Sequence, residues 1–136
     1  MAARLASVAD FAANPDKAPE WYENIESVEW ETDPPLVVGS RIAFVAHFLG
    51  RRLTHTYEVV ENRPLEQLVM RTSAGPFPME TSYTWQETPP GTVMSLRNRG
   101  TPSGFSRIAA PFMAQAMRRA NRKGLARLKE LLEREQ

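Results

Sequence analysis

The side chains of this 136-residue chain best equipped for chemistry are two histidines, three tyrosines and three tryptophans. His47 and His55 flank one expected turn. Alternation puts His55 on the same strand face as Leu53 and Tyr57. There an imidazole could share a hydrogen bond with a ligand or act as a general base. The plainer alternative is two ordinary wall or surface histidines. A metal site needs three or four converging ligands. The chain has no cysteine and no third ligand beside the pair, so neither a metal nor another cofactor is expected. No serine sits in a nucleophile-elbow pattern. Residues 100–104 carry two glycines without the Lys-Ser/Thr pair of a phosphate loop. His55 is left as the catalytic candidate, and binding is expected ahead of catalysis.

A second group reads as the wall of an apolar pocket. Trp21, Phe44, Phe48, Tyr57, Tyr83 and Trp85 supply flat surface, and the tyrosines and tryptophans add polar tips. Met70, Met94, Met113 and Met117, with Phe112, supply adaptable surface. Each is equally a core residue until the elements are placed. Trp21 and Tyr22 follow Pro19, where they either anchor a short helix or gate a mouth. Arg97 and Arg99 alternate with Met94 and Leu96, so solvent is their default; turned inward, one could clamp a carboxylate.

These residues need elements to hold them. Residues 2 to 13 repeat at helical spacing through Leu5, Val8, Ala9 and Ala12, and Asn14-Pro15 stops the run. Period-two segments follow at Ile25 to Thr32, from Gly39 to Phe48, Leu53 to Val59, Gln67 to Ser73, Met79 to Trp85, and Thr92 to Arg99. Gly50-Arg51, Asn62-Arg63-Pro64, Ala74-Gly75-Pro76 and Pro89-Pro90-Gly91 punctuate them. From Phe105 the period becomes helical and runs to Leu132, with Arg118 to Lys129 on the polar side and Gly124 as a weak point. Consecutive hairpins make an antiparallel sheet. The long helix is the only element large enough to cover its apolar face. A curved sheet over one helix leaves a cavity between them.

Composition narrows the function. Seventeen basic against sixteen acidic residues lack the positive excess of a nucleic-acid binder. No apolar run approaches the roughly 18 residues of a membrane span. No secretory pattern is present at the start. One domain over residues 1–136, a cytoplasmic location, a small hydrophobic ligand and no nucleic-acid partner are the expectations.

Asn14-Pro15-Asp16 through Pro19-Glu20-Trp21-Tyr22, Val38-Gly39-Ser40-Arg41, Tyr57 through Pro64, and Gly124 through Glu133 occur in an order that resembles the polyketide cyclase/dehydrase branch of the START-related SRPBCC superfamily. The resemblance implies an α+β helix-grip fold, an antiparallel sheet wrapped around the C-terminal helix. It also implies binding of lipids, polyketides, quinones or other apolar molecules, with cyclisation or dehydration in some members. It carries no invariant catalytic motif. Members begin with a strand that pairs with the last one, and here that strand is missing. Another copy, the N-terminal residues, or an upstream segment would have to cover the exposed edge; a homodimer through the last strand is slightly favoured.

Overall fold

A computed structural model describes residues 1–75, 78–100 and 109–134. The chain opens with α1 (Leu5–Ala13), a 3-10 turn (Pro15–Lys17) and α2 (Ala18–Trp21). Six strands follow: β1 (Ile25–Trp30), β2 (Arg41–Phe48), β3 (Arg51–Arg63), β4 (Gln67–Ala74), β5 (Met79–Thr88) and β6 (Gly91–Gly100). The chain then enters α3 (Ala109–Arg134). The expected helical start at Phe105 lies outside the described residues, as does Pro76.

The strands pair antiparallel in sequence order, β1 through β6, which makes β1 and β6 the two edges. Alternation decides which face is buried. Ile42, Phe44 and Phe48 on β2, Leu53, His55 and Val59 on β3, and Met79, Thr81, Tyr83 and Trp85 on β5 all turn inward. Register breaks between Ile25 and Ser27, between Thr56 and Tyr57, and between Val59 and Glu61 put extra residues into single strands. Such bulges bend and twist a sheet, and the sheet curls into a half-barrel around α3.

α1 begins at Leu5 rather than Ala2 because the first residues are used elsewhere. The Met1 amine donates to the Thr92 carbonyl at 2.6 Å, and the Thr92 N–H donates to the Met1 carbonyl at 2.9 Å. Thr92 Oγ1, fully buried, donates to the Ala3 carbonyl at 2.8 Å. The Ala2 N–H donates to Glu133 Oε1 at 2.9 Å, tying the same segment to the end of α3. The N-terminal residues therefore cover the beginning of the β6 edge.

The core has two parts. One gathers Val8, Ala9 and Ala12 of α1, Trp21, Ile42, Trp85 and Met94 with Leu128 and Leu132 of α3. The other gathers Phe48, Leu53, Met79, Met117 and Ala120. Tyr22 and Tyr57 pack against both. Among the described residues, no helix is long and apolar enough to cross a membrane, and no group of three or more potential metal ligands occurs.

Candidate functional site

A cavity lies at the seam between the two core clusters. Its inner part encloses about 70 Å³, room for on the order of five waters at roughly 10–15 Å³ each. Phe44, Ala46 and Phe48 from β2, Leu53, His55 and Tyr57 from β3, Met70 from β4 and Tyr83 from β5 form its wall. Trp21 of α2 and Tyr22, which caps that helix, close it from one side, and Met117 and Asn121 close it from α3. Met79, Leu96, Asn98, Met117 and Asn121 also line a wider space of about 300 Å³ between β6 and α3. The two spaces have these five residues as a common border: a narrow apolar interior and a broader vestibule beside it.

The strand period fixes the wall. Phe44 stands opposite His55, Tyr83 opposite Leu96, and Thr81 opposite Asn98, each pair adjacent on the inward face. The rings tile: Phe44 meets Tyr57 edge-on at 5.6 Å between centroids, and Trp21 meets Tyr83 at 6.1 Å. Edge-to-face contact of this kind is favourable and leaves flat faces for a guest.

One string of polar groups crosses this apolar wall. Tyr22 Oη donates to Asn121 Oδ1 at 2.6 Å, and Asn98 Nδ2 approaches the same oxygen at 3.4 Å. Thr81 Oγ1 donates to Asn98 Oδ1 at 2.9 Å. The string runs from α2 through α3 and β6 to β5. Trp21 Nε1, on a ring that lines the cavity, is buried with no hydrogen-bond partner among the described residues. An unmet buried donor costs about 1–3 kcal/mol; Trp85 Nε1, away from the cavity, is buried without a partner in the same way among the described residues.

The tyrosines are held neutral. Burial pushes the Tyr22 hydroxyl well above the ordinary phenol range, and the neighbouring Tyr83 and Tyr57 add to the shift. Burial does the same to Tyr83, with Tyr57 adding to it. Tyr57 is raised by burial against the opposing pull of a hydrogen bond with Thr81. At neutral pH all three are hydrogen-bonding hydroxyls, not charges.

Of the residues expected at a pocket, the structure brings Trp21, Phe44, Phe48, His55, Tyr57, Met70, Tyr83 and Met117 together around the cavity. His55 is 6% exposed, whereas His47 turns outward to Glu26 at 3.1 Å. Trp85 and Met94 do not line the cavity. They pair with each other in register one step further along the inner face, inside the cluster that α1 and Leu128 seal. Phe112 is a correction: it is 59% exposed. At about 100° per residue it stands about 140° away from Met117 around the helix, too far to share its face. The side chain of Met113 lies outside the described residues. Asn98, Asn121, Thr81 and Met79 join the site without having been expected there. Asn98 continues the inward phase of Met94 and Leu96, and Asn121 follows Met117 by four residues. A polar residue in an apolar phase is the signal that marks them.

A curled six-stranded antiparallel sheet closed by one long C-terminal helix is the helix-grip fold of START-like proteins. The chain belongs to the family described as polyketide cyclase/dehydrase and lipid transport, whose model matches residues 1–133. Among solved structures it is similar to the Zhui aromatase/cyclase from Streptomyces sp. R1128, with 13% identity, 98% of this chain and 88% of that chain covered, and a TM-score of 0.79. It is similar to a START superfamily protein from Mycobacterium smegmatis, with 13% identity, 96% and 93% covered, and a TM-score of 0.76. TTHA0849 from Thermus thermophilus gives 18% identity, 96% and 90% covered, and a TM-score of 0.77. Identities this low establish a common fold. No curated protein matches the sequence.

Proposed function

We propose that this protein binds a small, largely apolar molecule carrying at least one oxygen, held between the sheet and α3. The observation that carries the reading is the polar string from Tyr22 to Thr81 set in a wall of aromatic and methionine side chains. A wall built only for packing gains nothing from four amide and hydroxyl groups beside a void. Ligand sites combine an apolar lining with a few placed polar groups in this way. The family's link to lipid transport and polyketides agrees with it. The inner cavity is small, so a guest enters by displacing side chains, and Met70, Met79 and Met117 are the adaptable ones. Native mass spectrometry of the purified protein, with solvent extraction, tests the reading. Recovery of a bound apolar molecule is expected. Ala46→Phe, which places a ring inside the cavity, should abolish it. A protein that binds neither cellular extract nor small aromatic probes would end this reading.

A second reading, a polyketide cyclase or dehydratase, is favoured by one observation. His55 and Tyr57 stand in the same wall with ring centroids 6.1 Å apart, so proton-moving groups face the space a substrate would fill. Turnover of a poly-β-keto thioester mimic, lost in His55→Gln with ligand binding kept, would support it. Binding without turnover leaves the carrier role.

A further inference from the structure

The apolar cavity borders a vestibule whose lining is cationic. The interior is aromatic, the seam carries Asn98 and Asn121, and the vestibule adds Arg97, Arg99 and Arg118. Alternation on β6 sends Asn98 inward and the two arginines outward. Because β6 is an edge strand, its arginines also border the vestibule. Arg118 follows Met117 on α3 and meets them from the other side.

These three guanidinium groups have no ion-pair partner among the described residues, and no carboxylate lines the vestibule there. Some cations elsewhere are matched, such as Arg52 with Glu26, Arg63 with Glu61 and Lys123 with Glu23, while Arg119 and Arg122 on the outer side of α3 have no ion pair among the described residues either. Glu80 stands opposite Arg99 in register, but its carboxylate bonds Arg71 at 2.7 Å. The whole chain is balanced at 17 basic to 16 acidic residues. What sets these three apart is their place: they converge on one space that borders the apolar cavity, with no carboxylate in its lining.

The geometry points to a ligand with an anionic head: a compact aromatic body in the cavity and a carboxylate at Arg97, Arg99 and Arg118. This rests on the binding reading above and narrows its ligand class. Guanidinium suits the task because it presents paired donors to a carboxylate. The two asparagines then meet the carbon atoms and oxygens nearest the head. The arginines are exposed, so solvent screens them and the preference they confer is moderate and salt-dependent.

The test uses the intact chain and two isosteric probes, 2-naphthoate and 2-naphthamide, followed by fluorescence titration at low and high salt. At low salt the carboxylate should bind roughly tenfold tighter than the amide, and salt should erode the difference. The double variant Arg99→Gln/Arg118→Gln should bring the two affinities within about twofold while leaving amide binding and thermal stability unchanged. Equal binding of both probes by the unaltered protein overturns the head-group assignment and leaves the binding reading standing. So does a carboxylate preference that survives both the double variant and Arg97→Gln. Failure of both probes to bind counts against the binding reading itself.

Discussion

Tyr22 Oη donates to Asn121 Oδ1 across 2.6 Å, and this bond joins the short helix α2 to the middle of α3 directly over the cavity. Neither partner has an alternative among the described residues as short as this one. Tyr22→Phe should cost about 1 kcal/mol, the usual net value of one hydrogen bond. Asn121→Leu should cost more, about 1–3 kcal/mol, because it strands the tyrosine hydroxyl. Urea denaturation of both single variants and the double should give a coupling of about 1 kcal/mol. Strict additivity would mean that the bond does not hold the helices together.

Gly124 is the point of closest approach beneath that bond. A Cβ added there would lie 2.7 Å from Tyr22 Cδ2 and 3.4 Å from the Trp21 carbonyl oxygen. In an exposed helix Gly→Ala stabilises by about 1 kcal/mol. Here the Tyr22 ring would have to move while its hydroxyl is bonded to Asn121. Gly124→Ala should therefore destabilise by about 1–2 kcal/mol, the scale of an overpacked core. A rise in urea midpoint would show that α2 yields easily.

Alkaline pH supplies a third test. Tyr22, Tyr57 and Tyr83 are the chain's three tyrosines, and all have folded pKa values raised above the ordinary value near 10. Above that value the unfolded chain ionises while the folded chain keeps its protons. Their contribution to stability is thus complete below about pH 10 and is lost as pH rises toward the folded values, at up to about 1.4 kcal/mol per pH unit for each tyrosine. Tyrosinate absorbance should rise together with loss of near-ultraviolet circular dichroism. Reversible titration of the tyrosines near pH 10 in a folded protein would contradict the burial.

Pairing of two copies along β6 competes with the arrangement at Thr92. The N-terminal residues already occupy the start of that edge. Antiparallel self-pairing of the remainder would also bring Arg97 and Arg99 of two copies together, and charges on an edge strand oppose pairing. Light scattering should therefore give a mass near the monomer's 15.4 kDa. Thr92→Val should lower stability by about 1–2 kcal/mol through the lost bond to the Ala3 carbonyl. A mass near twice the monomer value would restore the dimer.

The strand faces are legible in the sequence because a period of two leaves little freedom: once Phe44 and Phe48 are inside, His47 must be outside. The long helix is legible over Ala109–Arg134, but its apolar residues spread over too wide an arc to show which face meets the sheet. That is why Phe112 groups with Met117 by spacing and not in space. Trp85 and Met94 are indistinguishable from Tyr83 and Leu96 by phase, since one strand step along the same face separates core from cavity. Where α1 and Leu128 close over the sheet depends on the path of the chain through space, which periodicity does not encode. The polar string is hidden for a related reason. Asn98 and Asn121 are 23 positions apart, and only the crossing of β6 by α3 makes them neighbours.

The division of the core at the cavity has a consequence for how the protein breathes. Toward its C-terminus α3 is anchored by Leu128 and Leu132, both almost wholly buried against α1 and the sheet. Toward its start the smaller cluster holds it through Met117 and Ala120. Hydrogen exchange should therefore show less protection in the first half of the helix than around Leu128 and Leu132, as separate cooperative units; uniform protection along α3 would show that the two clusters open together. The helix is in effect a beam with two footings of unequal size, the broader one at its C-terminal end.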